Sequence, residues 1–296
     1  MITVIDSIMA SNKTNFAIQL MNESLEDTFI YVTPYLDECN RIKAGCKNKK
    51  FVEPMECRKE KITSKSKSFK ELMKKSTDIA TTHSLFKLID EEAEQIIQAN
   101  SYTLILDEVM DVVQQIPVNK ADLELLFVKS NLLKLNEDGM ITLGEDANAY
   151  LEAGKGKFSE LLRMAKLKRL FMVNDTVLLW EFPVDVFKYF KKVYILTYLF
   201  NGQIQKYFFD FYNIEYEKYM VKKVDDRIEL IEYNKDIEKD RIIEISKLIN
   251  IYEGKLNSIG EGKTALSYSW FTNHKNDNLK QILSNNICNY FTHILK

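Results

Sequence analysis

A lysine and a threonine stand side by side, Lys13-Thr14, at the end of a polar loop that reads Ser7-Ile8-Met9-Ala10-Ser11-Asn12. A short β-branched run precedes the loop and an amphipathic stretch follows it. Strand, loop, Lys-Thr, helix is a layout that holds phosphate, because successive N–H groups of the loop and of the helix N-terminus wrap an anionic group. In that arrangement Ser11 and Asn12 line the cradle, Lys13 contacts the β- and γ-phosphates, and the Thr14 hydroxyl holds Mg²⁺. None of the 9 glycines of the chain falls in this loop. Asn12 stands where a glycine usually precedes the lysine, and after glycine Asn most readily takes left-handed backbone angles. Ala10 brings a methyl group to a point where backbone and phosphate approach closely, which weakens the cradle.

Two adjacent carboxylates, Asp107 and Glu108, end the apolar run that begins at Tyr102. Beside a bound triphosphate, Asp107 would hold Mg²⁺ and Glu108 would act as the catalytic group that orients or deprotonates an attacking water. Taken alone, an Asp-Glu pair after an apolar run also fits a helix that opens with acids favoured by its dipole. Its force comes from the pairing with Lys13-Thr14.

These groups need elements to position them. Residues 2–5, Ile-Thr-Val-Ile, form a continuous apolar run that suits a strand buried on both faces of a parallel sheet. Further strands are predicted over 29–35, 79–84, 102–108 and 193–197, and helices over 15–21, 36–42 and 85–99. The long interval between Glu108 and Thr197 predicts an insertion at about 118–185, with helices, a turn at Asn136-Glu137-Asp138-Gly139 and a hairpin around Asn174-Asp175. Such a helix pair with a hairpin reads either as a small winged-helix-like module or as a packing appendage. The aromatic run from Tyr207 to Tyr212 reads as a core or interface cluster. Near the end, 265–271 reads as a strand and 278–294 as a helix.

The 296 residues carry 41 Lys or Arg against 43 Asp or Glu, and 46% are hydrophobic. That composition excludes a polar low-complexity tail, a collagenous repeat and a globally basic coat protein. No apolar run approaches the roughly 18 residues of a membrane span, and no export signal is visible at the N-terminus, so a cytoplasmic protein without membrane contact is expected. The spacing of Cys39, Cys46, Cys57 and Cys288 does not make a zinc knuckle and fits reduced thiols.

In this order, the motifs resemble those of the nucleic-acid motor cores of helicase superfamily 2. Ser7 to Thr14 is similar to motif I, Thr33-Pro34 to motif Ia, Thr81-Thr82-His83-Ser84 to the motif Ib region and Asp107-Glu108 to motif II. Thr197, closing the strand Val193-Tyr194-Ile195-Leu196, is similar to the motif III hydroxyl that couples phosphate state to nucleic-acid grip. The likeness is nearest to helicase-like proteins of bacteriophages and mobile elements, and it covers most of residues 1–200. It implies an α/β fold: a RecA-like P-loop NTPase domain with a mainly parallel sheet over 1–235, carrying the inserted α+β region, and an incomplete second motor domain, a β–α unit, over 236–296. It also implies ATP and Mg²⁺ as cofactors and a nucleic acid, DNA rather than RNA, as partner. Thr33, Thr82 and His83 would face the nucleic acid. Beyond residue 221 the only arginines are Arg227 and Arg241, both ahead of the second-domain strand, so the arginine such motors supply to the γ-phosphate is not matched.

Between Arg41 and Lys75 thirteen Lys or Arg face four Glu, a local charge of +9 that leaves −11 for the rest of the chain. Within it Lys59, Lys61, Lys65 and Lys67 are expected to meet a nucleic-acid backbone, the alternative being a solvated loop. Gly260-Glu261-Gly262-Lys263-Thr264 imitates a phosphate loop, but a charged helix rather than a strand precedes it, and it reads as a turn. Three functions stay open: an ATP-binding, helicase-like nucleic-acid protein with weak or partner-dependent ATPase activity; a helicase-fold scaffold or inhibitor acting through a protein partner or homo-oligomer; and a small-molecule kinase, disfavoured by the lack of an arginine-rich lid.

Overall fold

The first strand, β1 (Ile2–Asp6), is buried along its whole length, as a run with no polar alternation requires. The computed structural model describes residues 1–56, 64–154, 156–249 and 255–294. From β1 the chain continues through α1 (Lys13–Glu23), β2 (Thr28–Thr33), α2 (Leu36–Gly45), α3 (Lys65–Lys74), β3 (Ile79–Thr82), α4 (His83–Phe86), α5 (Glu91–Ala99) and β4 (Tyr102–Asp107). The region expected as one helix over 85–99 is divided, because Asp90 caps α5 by accepting a 3.0 Å hydrogen bond from Ala93 N.

After β4 the chain leaves the main sheet. β5 (Val113–Ile116), α6 (Lys120–Glu124), β6 (Leu133–Leu135), β7 (Ile141–Leu143), α7 (Ala147–Glu152), α8 (Ser159–Lys166), β8 (Leu170–Val173) and β9 (Val177–Glu181) follow. They build a three-stranded antiparallel sheet, β5-β9-β8, and a hairpin, β6-β7, around a core of their own that includes Leu126, Leu162 and Leu170. The insertion thus begins with β5, a little before the expected position. The chain returns through α9 (Val186–Tyr189), β10 (Lys192–Thr197), α10 (Ile204–Phe211), β11 (Tyr216–Val224) and β12 (Arg227–Glu232).

The main sheet has seven strands in the order β12-β11-β1-β10-β4-β2-β3. All neighbours are parallel except β11 and β12. One face packs on a core that includes Phe69, Ile97, Phe187 and Phe209, and the other on Phe16, Met21, Cys39 and Ile42 of α1 and α2. Phe208 and Phe209 of α10 are buried in the first of these cores, whereas Tyr207 and Phe211 point outward. Registers pair Asp6 with Thr197 and Leu196 with Asp107, so the carboxyl ends of β1, β10 and β4 finish at one edge.

The chain divides into two compact units, Met1–Lys235 and Asp236–Lys296. The second carries α11 (Lys239–Lys247), α12 (Tyr268–Thr272) and α13 (Asp277–Asn289) with short 3₁₀ turns, and none of its described residues is buried. The strand expected over 265–271, and with it the β–α unit, is not present there: the segment is a turn followed by α12. Ser267 starts that helix, its Oγ accepting from Trp270 N at 3.3 Å, a local cap that favours helix over strand at this point. The Gly260 to Thr264 sequence lies between a 3₁₀ turn and α12, with no strand before it among the described residues.

Candidate phosphate-binding site

The loop from Ser7 to Asn12 leaves the carboxyl end of β1 and is pinned at its base. Ser7 N donates to Thr197 O at 3.0 Å, and Ser7 Oγ accepts from Val221 N at 3.0 Å. Asp6 Oδ1 and Oδ2 accept from Leu199 N at 2.7 Å and Phe200 N at 3.1 Å, tying the loop after β10 to β1. Asn12 has φ 74°, the left-handed position expected of it, and its carbonyl opens α1 by accepting from Phe16 N at 2.9 Å. Ala10 also has a positive φ, 58°, a conformation that costs a residue with a Cβ about 1–2 kcal/mol.

Helix α1 receives no side-chain cap from Asn12 and has no acid in its first turn. No acid of its own first turn therefore meets its N-terminal partial positive charge, an arrangement that suits an anionic ligand. Beside them lies a cleft of about 320 Å³ lined by Ser11, Asn12, Lys13, Thr14, Asp107 and Glu108, among others. Two strands that are not neighbours deliver these groups, β1 on one side and β4 on the other, with β10 between them. Ser11 Oγ is buried without a hydrogen-bond partner. Such an orphaned hydroxyl in a phosphate-sized cleft fits an oxygen-rich ligand. Lys13 is buried, and its Nζ donates to Ser7 O at 2.7 Å and to Ile8 O at 3.1 Å, folded along the inside of the loop.

Asp107 is the electrostatic centre of the cleft. Burial pushes its carboxyl up to about 6; the Tyr31 hydroxyl, donating to Oδ2 at 2.7 Å, and the Lys13 ammonium oppose that rise, while Glu108 and Glu38 add to it. The ordinary carboxyl value is about 3.9. Next to it Glu108 is exposed, with φ 65°, and its amide donates to Leu196 O at 2.8 Å. Thr197 Oγ1 stands 3.5 Å from Glu108 Oε2, at the outer limit of a hydrogen bond, so the hydroxyl expected to couple sites does approach the expected catalytic carboxylate.

Other expected contacts are distributed less simply. Thr33, expected to face nucleic acid, is fully buried at the end of β2 with its hydroxyl unpartnered, so its side chain is not exposed to a nucleic-acid backbone in this structure. Thr82 is half-buried and shares a small hollow with Lys65. His83 turns inward and its Nε2–H donates to Asp107 O at 3.1 Å. Burial holds the imidazole down at about 4, so it is neutral near pH 7 and offers no charge to a phosphate backbone. Lys65 and Lys67 are exposed in the first turn of α3, while Lys59 and Lys61 lie outside the described residues. Arg41 of α2 also lines this cleft, held by Glu38 Oε2 at 3.2 Å and Asn15 Oδ1 at 3.1 Å. Its sequence position marks it only as the start of a basic segment, and no local signal pairs it with Asn15.

Among the described residues no group of three or more His, Cys, Asp and Glu side chains could hold a metal ion. Mg²⁺ at this cleft would thus rest on Thr14, Asp107 and ligand oxygens, as this cation commonly does beside phosphates. No helix of the described residues is long and apolar enough to cross a membrane.

Residues 113–180 match the YonV middle domain, the segment that builds the antiparallel insertion. Residues 243–296 match the YonV C-terminal Rossmann-like domain. Over 297 aligned residues the chain is 43% identical to the SPbeta prophage-derived uncharacterized protein YonV of Bacillus subtilis (strain 168), covering all of this chain and 72% of that protein. The chain belongs to the YonV family. No solved structure matches it. Within the YonV frame, the middle-domain match follows the observed insertion from the first residue of β5 almost to the end of β9. Ahead of it lie β1 to β4, which supply Lys13, Thr14, Asp107 and Glu108.

Proposed function

We propose that this YonV-family chain binds a nucleoside triphosphate with Mg²⁺ at the β1–α1 loop and couples that binding to a nucleic-acid strand, with ATP hydrolysis slow or dependent on a partner. The observation that carries the reading is the convergence of Lys13, Thr14, Asp107 and Glu108 on one cleft from the ends of β1 and β4. A RecA-like assignment is the finer reading of the mainly parallel sheet. It draws support from β10, which lies between those two strands and brings Thr197 to Glu108. The prophage origin named for the relative suits a protein of bacteriophage or mobile-element type.

The chain's own groups divide the work. The N-terminal N–H groups of α1 and the Ser11 hydroxyl would bind phosphate oxygens. Lys13 would exchange its carbonyl acceptors for those oxygens, and Glu108 would orient a water or take its proton. Bound Mg²⁺ would neutralise phosphate charge. It would also favour the ionised form of Asp107, which burial disfavours in its absence. A second reading, a helicase-fold scaffold that does not hydrolyse ATP, is favoured by the Ala10 methyl and by the engagement of Lys13 with Ser7 O and Ile8 O.

Titration of a fluorescent ATP analogue with Mg²⁺ against the native chain and Lys13→Ala tests the proposal. Saturable binding that weakens at least about tenfold in the variant is expected, the loss of a charge-assisted contact worth about 1.5–3 kcal/mol. Absence of binding by the native chain would overturn it. Binding with no turnover, with or without single-stranded DNA, would favour the scaffold.

A further inference from the structure

A second concavity, about 720 Å³, lies where the insertion meets the main sheet, away from the phosphate cleft. Its walls are α4 with the loop after it and α8 with the loop that follows. Leu88, Met164 and Trp180 form an apolar lining, and Lys87, Arg163 and Lys166 bring positive charge.

The state of each cation decides what the groove can receive. Arg169, which also lines it, is buried and committed, donating to Glu94 Oε1 at 3.1 Å and to Lys87 O at 3.3 Å. Lys87 pairs with Asp111 at 2.6 Å and stands 5.8 Å from the centre of the Trp180 ring. Arg163 and Lys166 are exposed, one helical turn apart on α8, and form no ion pair among the described residues. The acids on the same walls are Asp90, which is engaged by Lys70 at 2.8 Å, and Glu160. The uncommitted charge is therefore mainly positive, and it rims an apolar trough.

We infer that this groove between α4 and α8 holds a single-stranded nucleic acid, its phosphates on Arg163 and Lys166 and its bases against Leu88 and Met164. Cationic edges over an apolar lining match a chain of phosphates carrying flat apolar bases: a positively charged groove tracks the backbone, and the aliphatic side chains cover the base faces. A duplex hides its bases and has no use for the trough. The site rests on the nucleic-acid half of the proposed function and assigns the grip to the insertion rather than to the basic segment around Lys65 and Lys67. It also gives that grip a route to the other cleft. His83, the first residue of α4, donates to Asp107 O, and Lys87, just after the helix, pairs with Asp111, so α4 joins the groove wall to the segment that carries Asp107 and Glu108.

The test is fluorescence anisotropy of labelled oligothymidylate and oligouridylate with the full chain, alongside Arg163→Glu/Lys166→Glu and Lys65→Glu/Lys67→Glu. Both pairs are exposed, and circular dichroism verifies that the variants fold. The groove variant is expected to bind at least about tenfold more weakly, and its dependence of log K on log salt to flatten by about 1.4, two contacts at roughly 0.7 each. Arg163→Lys/Lys166→Arg, which keeps the charge, should bind like the native chain. Native-like affinity in the groove variant would overturn the groove while leaving nucleic-acid binding in place. No binding of either oligonucleotide by the native chain would overturn the nucleic-acid reading itself. Binding of polyglutamate in the groove more tightly than the oligonucleotides would assign it to an acidic protein partner instead.

Discussion

The phenol of Tyr31, on β2, donates a 2.7 Å hydrogen bond to Asp107 Oδ2, on the neighbouring strand β4, with both groups buried. This bond offsets part of the cost of holding a carboxylate in the sheet, because a hydrogen bond to the charged form favours ionisation. Tyr31→Phe leaves the packing and removes the donor. It is expected to cost about 1.5–3 kcal/mol at neutral pH, read from urea denaturation, and to move the Asp107 titration further upward, read by NMR.

Asp107 itself lowers stability at neutral pH. Its folded value of about 6 lies above the ordinary carboxyl range, so the folded state binds the proton more tightly between about pH 4 and pH 6. Stability contributed by this group is therefore lost as pH rises through that window and stays lost above it. Asp107→Asn is expected to be more stable than the native chain at pH 7.5, by on the order of 2–3 kcal/mol, and to match it near pH 4. Thermal unfolding across pH measures the difference. Mg²⁺ with ATP analogue should stabilise the native chain and not the variant.

His83 has the opposite sign. Its imidazole is held at about 4, below an unfolded value near 6.5, so the unfolded chain takes up the proton first. The stability it contributes is present above about pH 6.5 and is lost as pH falls towards 4. His83→Gln should cost only about 0.5–1.5 kcal/mol at pH 7.5, the worth of its hydrogen bond to Asp107 O. The variant should then gain on the native chain under acid, the reverse of the Asp107→Asn trend.

Ala10→Gly removes a Cβ from a residue with φ 58° that lines the cleft beside α1. Relief of about 1–2 kcal/mol of left-handed strain outweighs the roughly 0.5–1 kcal/mol of added chain entropy. The melting temperature should hold or rise slightly, and affinity for the ATP analogue should increase several-fold. An unchanged affinity would show that the methyl group does not obstruct the phosphate.

Arg169 anchors the insertion to α5 and to the loop after α4 through Glu94 and the carbonyl of Lys87. Arg169→Ala would leave Glu94 half-buried without its partner and is expected to cost about 3 kcal/mol. Hydrogen exchange should rise first in β8 and β9, which follow Arg169, rather than in β1 and β4.

Local chemistry made much of this protein legible. A continuous apolar run marked β1 as a strand buried on both faces, because a strand with one wet face must alternate, and apolar runs marked β2 and β4 as strands. Asn12 was legible as a left-handed residue, since its side chain tolerates angles that most others avoid. Lys13-Thr14 and Asp107-Glu108 could be named as chemical groups at strand ends. Their meeting in one cleft belongs to the tertiary structure alone: it depends on β10, nearly two hundred residues from β1, lying between β1 and β4. The same holds for the burial of Thr33, the arrival of Arg41 beside Asn15 and the groove between α4 and α8. Each sums contacts between segments distant in the chain, whereas turn angles, caps and alternation are settled within a few residues. Ser267 shows the balance from the other side. An apparent strand pattern over 265–271 gave way to a turn and a helix whose first turn Ser267 caps from within the same few residues.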